Sequence, residues 1–189
     1  MSAGETLLAE LVQRARRVGA AEAAGLEGLG EDQAARRALA ALAAADLVAY
    51  TVPESCGGAS ARGLCPASEV SVLALCALRA ELAYHSGMLD VMLVMQGLGS
   101  YALAAAGSAA LSGRELSGVA RGERVAAFAL TEPGAGSDLA QVATRAERRG
   151  STWRYLVALN RAGNAVSSQA MEGRTCLSGR CRRSKAAQT

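Results

Sequence analysis

Apolar residues recur at helical spacing over most of the first 120 or so positions. Leu7, Leu8, Leu11 and Val18 fall on one side of residues 5–18, and Glu10, Gln13, Arg14 and Arg17 fill the other, so a 3.6-residue period predicts an amphipathic helix. Gly25, Gly28 and Gly30 then mark a loop. A second helix is predicted from 31 to 45. Glu31 and Asp32 at its start suit the positive end of the helix dipole, and Leu39 and Leu42 lie on its inner face. Pro53 disfavours helical geometry at Val52, so 48–54 should run extended, and Gly57-Gly58 allows a sharp turn. Apolar positions 70, 73, 74, 77 and 78 predict a largely buried helix over 67–83, and another follows over 88–105. Gly107 can end it, and Ser108 can cap a shorter helix reaching about Val119. Five helices joined by short loops predict an antiparallel bundle.

After Gly122 the period changes. Val125 to Thr131 is a short apolar run, Val142 to Arg148 alternates loosely, and Thr152 to Leu159 carries Trp153, Tyr155 and Val157, which together predict three strands. Beyond Asn160 both periods vanish and Ser, Gly, Arg and Gln accumulate, so the tail should be loop or disorder. The predicted fold class is α+β, mainly α. It has an N-terminal antiparallel helical bundle over 1–122, the start of an incomplete small β domain over 123–159, and an irregular, poorly ordered tail over 160–189.

Composition narrows the function classes. Half the residues are apolar but only 3% are aromatic, so packing must be aliphatic, which favours helices. The net charge of +3 comes from the tail: residues 156–189 hold six basic residues and one acidic one, leaving the body slightly acidic. Arg180, Arg182, Arg183 and Lys185 have no interleaved aromatic residues, so no nucleic-acid partner is expected. Cysteines 56, 65, 76, 176 and 181 are odd in number and scattered, which reads as free thiols in a reducing compartment. Glu5 and Glu10 interrupt the start where a signal or transit peptide avoids acid, so a cytoplasmic location is expected. Met88 to Leu111 is the most apolar stretch. Asp90, Gln96 and glycines 97, 99 and 107 make it a buried helix pair on this reading, with no membrane span. His85 is the only histidine, so neither a histidine metal site nor a histidine relay can form within one chain, and no metal is expected; its expected place is a helix junction.

One segment carries the chemistry: Phe128, Ala129, Leu130, Thr131, Glu132, Pro133, Gly134, Ala135, Gly136, Ser137, then Asp138. A strand that ends in a hydroxyl, a rigid proline and two glycines brings backbone N–H groups and short side chains close to a ligand, because glycine has no Cβ in the way. Successive N–H groups in such a turn can form an anion-accepting concavity, and Ser137 adds a donor. Glu132 reads as structural, and Asp138 as a turn acceptor or cap.

The segment resembles the signature of the acyl-CoA dehydrogenases: a strand, then Thr-Glu-Pro, a variable residue and Ala-Gly-Ser-Asp. Val52-Pro53-Glu54 with Gly57-Gly58 is similar to the family's Val-Pro-Glu-x-x-Gly-Gly loop. Ala80-Glu81-Leu82-Ala83 is similar to its acidic helix segment, and Gly107-Ser108 with Ala120-Arg121-Gly122-Glu123 to the lead-in to the signature. The resemblance spans residues 5 to 155 and implies a helical domain, a β domain and a second helical domain. It implies that residues 128 to 137 line FAD, with Thr131 bonding near the isoalloxazine ring and Ser137 within reach of the acyl-CoA. The implied reaction is α,β-desaturation: a carboxylate removes the α-proton of the thioester while the β-hydrogen leaves as hydride to the flavin. Electron-transfer flavoprotein would be the redox partner, and homo-oligomers are usual in the family.

The likeness fades after Trp153. The family's Leu-x-Gly-x-Lys segment and second flavin strand have no match in residues 156–163, and no carboxylate here corresponds to the base, which the resemblance places in a C-terminal helical domain. Residues after Tyr155 therefore read as a truncated, frameshifted or rearranged end, and the chain alone is expected to bind FAD weakly or not at all and to be inactive by itself. Two rival readings are a non-catalytic fragment or interaction module retaining the helical fold, and a flavin-dependent monooxygenase or oxidase relative.

Overall fold

The computed structural model describes residues 2–128, 130–132, 134–149, 152–156 and 170–171. Contacts divide the chain after Ala127 into a helical unit and a second unit that begins at Phe128. The described residues are mainly helical, in the order α1 (Ala3–Leu26), α2 (Glu31–Ala44), α3 (Val72–His85), α4 (Gly87–Ala106) and α5 (Ala109–Ala120).

Capping chemistry sets most of the helix boundaries. Ser2 and Glu5 form a reciprocal capping box at the start of α1: the Glu5 amide donates to Ser2 Oγ at 3.2 Å, and the Ser2 amide to Glu5 Oε2 at 2.7 Å. The helix was expected to stop near residue 18. It runs on to Leu26 because Ala20, Ala21, Ala23 and Ala24 are strong helix formers and Gly25 lies one residue from its end. On α3 the predicted start at 67 moves to Val72, where Ser71 Oγ accepts the Ala74 amide at 3.2 Å. Ser108 caps α5 in the same way, accepting the Leu111 amide at 3.3 Å, as predicted.

Residues 48–54, predicted extended, instead form 3-10 turns at Val48–Thr51 and Glu54–Cys56; only Val52 between them is extended (φ −123°, ψ 138°). The Thr51 hydroxyl donates to the Val48 carbonyl at 2.8 Å and tightens the first turn. Gly57 follows at φ +93°, and Gly58 is wedged against the Val52 carbonyl.

The core of the helical unit is aliphatic. Leu11 and Ala15 of α1 meet Ala38 and Leu42 of α2, Leu78 and Leu82 of α3, and Leu89 and Leu93 of α4. A smaller cluster gathers Val52, Leu116, Val119, Ala120 and Ala126. Each buried leucine contributes roughly 1.5–3 kcal/mol. The surface pairs, such as Arg16 with Glu81 and Arg79 with Asp90, are screened by solvent and contribute little, so apolar packing decides the fold. The bundle is not antiparallel throughout. Contacts between α1 and α2 pair 22 with 37 and 14 with 45, in opposite senses, but α1 meets α3 at 16 with 81 and 19 with 85, in the same sense. Residues 46–71 form the long connection that lets α3 return alongside α1.

Helix α4 is long and apolar enough to cross a membrane by length and composition. Here Leu89, Leu93, Gln96 and Ser100 form its buried side, and Asp90 pairs with Arg79. His85 ends α3 at the junction with α4, as expected, with its ring against Gly19 of α1.

The end of α2 carries a local strain. The Asp46 amide donates to Ala43 O and the Leu47 amide to Leu42 O, both at 2.9 Å, which is the Schellman pattern, and Asp46 takes the left-handed position at φ +53°. Glycine suits that position better, so Asp46→Gly is expected to stabilise the protein by about 0.5–1 kcal/mol. A thermal melt checks it; an unchanged or lower midpoint contradicts it.

The strand predicted over Val125–Thr131 does not form among the described residues. The carbonyl of Arg124 and the amide of Ala126, which a neighbouring strand would engage, are taken instead by the Gln96 side chain. In the second unit β1 (Arg145–Arg149) pairs antiparallel with β2 (Thr152–Leu156), with Arg145 opposite Leu156 and Arg149 opposite Thr152. A two-residue strand, β3 (Ala170–Met171), pairs with β2. The sequence reading placed 170–171 in the irregular tail; a two-residue pairing is too short to show a period of its own. The remainder of that tail lies outside the described residues.

Candidate functional site

The signature segment is a turn braced from beneath by its own glutamate. Glu132 and Ala135 exchange both backbone hydrogen bonds, at 2.9 and 3.1 Å, closing a tight loop around Gly134. The Glu132 side chain, 4% exposed, turns inward and accepts the amides of Ala143 and Thr144 at 2.7 and 2.9 Å, with the Thr144 hydroxyl as a third donor. The Thr144 hydroxyl, then the Ala143 amide, hold this carboxyl below the usual glutamate range, against the opposing effect of burial. Glu132 therefore binds residues 143–144, immediately before β1, to the loop. Its carboxylate is engaged inside the unit by these three donors.

Asp138 acts as a cap. Its carboxylate accepts the Ala140 amide at 3.1 Å and the Gln141 side chain at 3.4 Å, opening a 3-10 turn over Leu139–Gln141.

The braced residues leave an outward face. Thr131, Gly134, Gly136 and Ser137 are exposed, whereas Glu132 and Ala135 are buried. A Cβ on Gly134 or Gly136 would meet nothing within 4 Å, so the outer side of the loop is open to close approach by a ligand. Phe128 and Leu130 present apolar surface, 47% and 37% exposed. Ala129 and Pro133 lie outside the described residues. None of the described loop residues has positive φ, so the alternating right- and left-handed form of an anion-accepting concavity is not found among them. What remains is apolar surface beside two hydroxyls and open backbone, a donor set suited to a flat ligand with an apolar face and a polar edge.

Several described carboxylates are paired with cations. Glu81 is held below its usual range first by its bond to Arg16, and Glu123 by its bond to Arg121, while Asp90 pairs with Arg79 and Glu115 with Arg124. A general base benefits from a raised pKa, the opposite of these shifts. Among the described residues no cluster of His, Cys, Asp and Glu can hold a metal ion.

The other family-like segments are structural where they are seen. Gly58 donates its amide to the Pro53 carbonyl at 3.0 Å and Gly57 donates to Glu54 at 3.1 Å. Gly122, at φ +70°, closes α5 with its α-carbon side against Ala43 of α2. Gln96 had been read only as an interruption of an apolar run. A carboxamide in mid-helix, followed by glycines at 97 and 99, was the available sign that a backbone approaches there.

Comparison with known proteins gives a consistent picture. The profile of the family described as "Acyl-CoA dehydrogenase, N-terminal domain" matches residues 5–123. Cyclohexane-1-carbonyl-CoA dehydrogenase of Geobacter metallireducens is 37% identical over 79 residues, which cover 42% of this chain and 21% of that protein. The structure of butyryl-CoA dehydrogenase from Megasphaera elsdenii matches with a TM-score of 0.63 at 20% identity, over 82% of this chain and 39% of that one; at this identity the likeness concerns fold alone. The chain thus spans well under half the length of either.

Proposed function

The chain belongs to the acyl-CoA dehydrogenase family, and from that membership we propose that it builds the helical domain and the first flavin-contacting loop of an FAD-dependent dehydrogenase acting on an acyl-CoA thioester. The observation that carries this reading is the braced loop itself: Glu132 fixes it from within while Thr131, Gly134, Gly136 and Ser137 face outward. Family membership supports the cofactor, and the donor set supports its place.

FAD, when bound, supplies an acceptor for the hydride that leaves the β-carbon of the thioester. The chain's own residues orient and shield. The Thr131 hydroxyl would donate to a polar edge of the ring, Phe128 and Leu130 would shield it from water, and Gly134 and Gly136 would leave room for close approach to the backbone. Ser137, at the far end of the loop, donates towards the acyl-CoA. By the family resemblance the α-proton goes to a carboxylate, a base that the resemblance places in a C-terminal helical domain. Electron-transfer flavoprotein is the redox partner that the proposal implies.

Thr131→Val removes the hydroxyl while keeping the shape. It is expected to weaken FAD binding by about 1 kcal/mol, the net contribution of one hydrogen bond to a polar ligand edge. Equal FAD affinity in the variant would remove Thr131 from the flavin contacts.

A further inference from the structure

We propose that Gln96, in the middle of α4, is a positioning residue for the segment that leads into the candidate flavin loop: its carboxamide stands in for a neighbouring β-strand and holds residues 124–126, after which the chain continues to Phe128. The proposal rests on the flavin reading of residues 128–137.

Gln96 is fully buried, in a largely apolar helix, and burying an unpaired amide is costly. Both ends of this amide are paired. Nε2 donates to the Arg124 carbonyl at 2.9 Å, and Oε1 accepts the Ala126 amide at 2.7 Å. One carbonyl and the amide two residues later are the pair of groups that a neighbouring strand would engage on that edge. The helix surface around it is shaped for the approach. A Cβ at Gly99 would lie 2.6 Å from the Ala127 nitrogen and 2.8 Å from the Ala126 carbonyl carbon, so only glycine lets the segment lie this close. The Ser100 hydroxyl donates back to the Gln96 and Gly97 carbonyls at 2.6 and 3.2 Å, which directs its hydrogen into α4. A second tie comes from Arg124, whose side chain pairs with Glu115 of α5. The amide also reads its partners by type. A methionine of similar volume would leave Arg124 O and Ala126 N unpaired, and a glutamate would accept at Ala126 but set an oxygen against the Arg124 carbonyl.

The test uses the full chain, with Gln96→Met and Gln96→Glu beside wild type, and reads amide hydrogen exchange at Ala126, helical circular dichroism and FAD titration. In the wild type the Ala126 amide is expected to be protected. In both variants its exchange should rise about tenfold or more and FAD affinity should fall about tenfold, with the helical signal retained. Fast exchange at Ala126 in the wild type overturns the proposal, as does unchanged exchange in a folded variant. Loss of the helical signal in both variants marks a purely structural role and overturns it too. FAD binding that stays the same when Ala126 has been freed overturns the positioning role alone. FAD binding by the wild type that leaves exchange across residues 130–137 unchanged overturns instead the flavin reading beneath it.

Discussion

Gly58→Ala is expected to destabilise the helical unit by about 3 kcal/mol or more, enough to unfold a marginal domain at physiological temperature. A Cβ at this position would fall inside the contact radius of the Val52 carbonyl oxygen, 2.6 Å from the carbonyl carbon and 2.8 Å from the Ala49 oxygen. All three neighbours are backbone atoms, so no rotamer change can relieve the clash. The Gly58 amide is held in place by the Pro53 carbonyl at 3.0 Å, and the next amide, that of Ala59, donates to Ala49 at 2.9 Å. Moving the loop away would break both bonds and expose Val52, which is 2% exposed and anchors the smaller core cluster. Gly57→Ala is strained for a different reason, its φ of +93°, and should cost less, about 1–2 kcal/mol. Urea titration of the two variants distinguishes the causes; a Gly58→Ala midpoint equal to that of wild type would show that the loop can shift without loss.

Glu132→Ala is the second large effect, and it falls on the loop while leaving the helices intact. The carboxylate gathers three donors, so its removal leaves the amides of Ala143 and Thr144 without their partner and releases the loop from the residues that precede β1. Helical circular dichroism should persist, since those residues belong to the second unit, while FAD affinity falls about tenfold and residues 130–144 lose hydrogen-exchange protection. The same bond predicts a pH response. The Thr144 and Ala143 bonds lower the folded pKa of Glu132, so its contribution is present above the unfolded carboxyl value of about 4.3 and is lost as pH falls through the lower folded value. Loop protection should therefore hold at neutral pH and disappear on strong acidification. In Glu132→Ala that acid step should be missing; a step that survives the substitution belongs to another group.

The helical part of the fold was legible because its signals are local. Ser108 announces a cap that Leu111 fills, Glu31 and Asp32 open α2 where the dipole favours acid, and Leu39 and Leu42 recur at helical spacing on its inner face. The errors arise where a distant partner decides. Residues 125–128 have the apolar run of a strand, yet the donors and acceptors on their edge are taken by Gln96, some thirty positions earlier in the chain. The parallel course of α1 and α3 follows from the long connection over 46–71, whose path depends on close backbone contacts such as Gly63 against Gly4, which no periodicity reports. Within the loop, proline, glycines and hydroxyls predict a ligand-facing turn, and the outer side of that turn is exposed. The division of labour, with Glu132 and Ala135 inward and Thr131 and Ser137 outward, depends on the hydrogen bonds from residues 143 and 144.

The most direct test of the central claim is hydrogen–deuterium exchange of the full chain with and without FAD, read peptide by peptide. The account predicts saturable, weak FAD binding that slows exchange across 130–137 and leaves the α1 and α2 peptides unchanged, with the slowing diminished in Thr131→Val. FAD binding that protects another part of the chain while residues 130–137 exchange as before would contradict it.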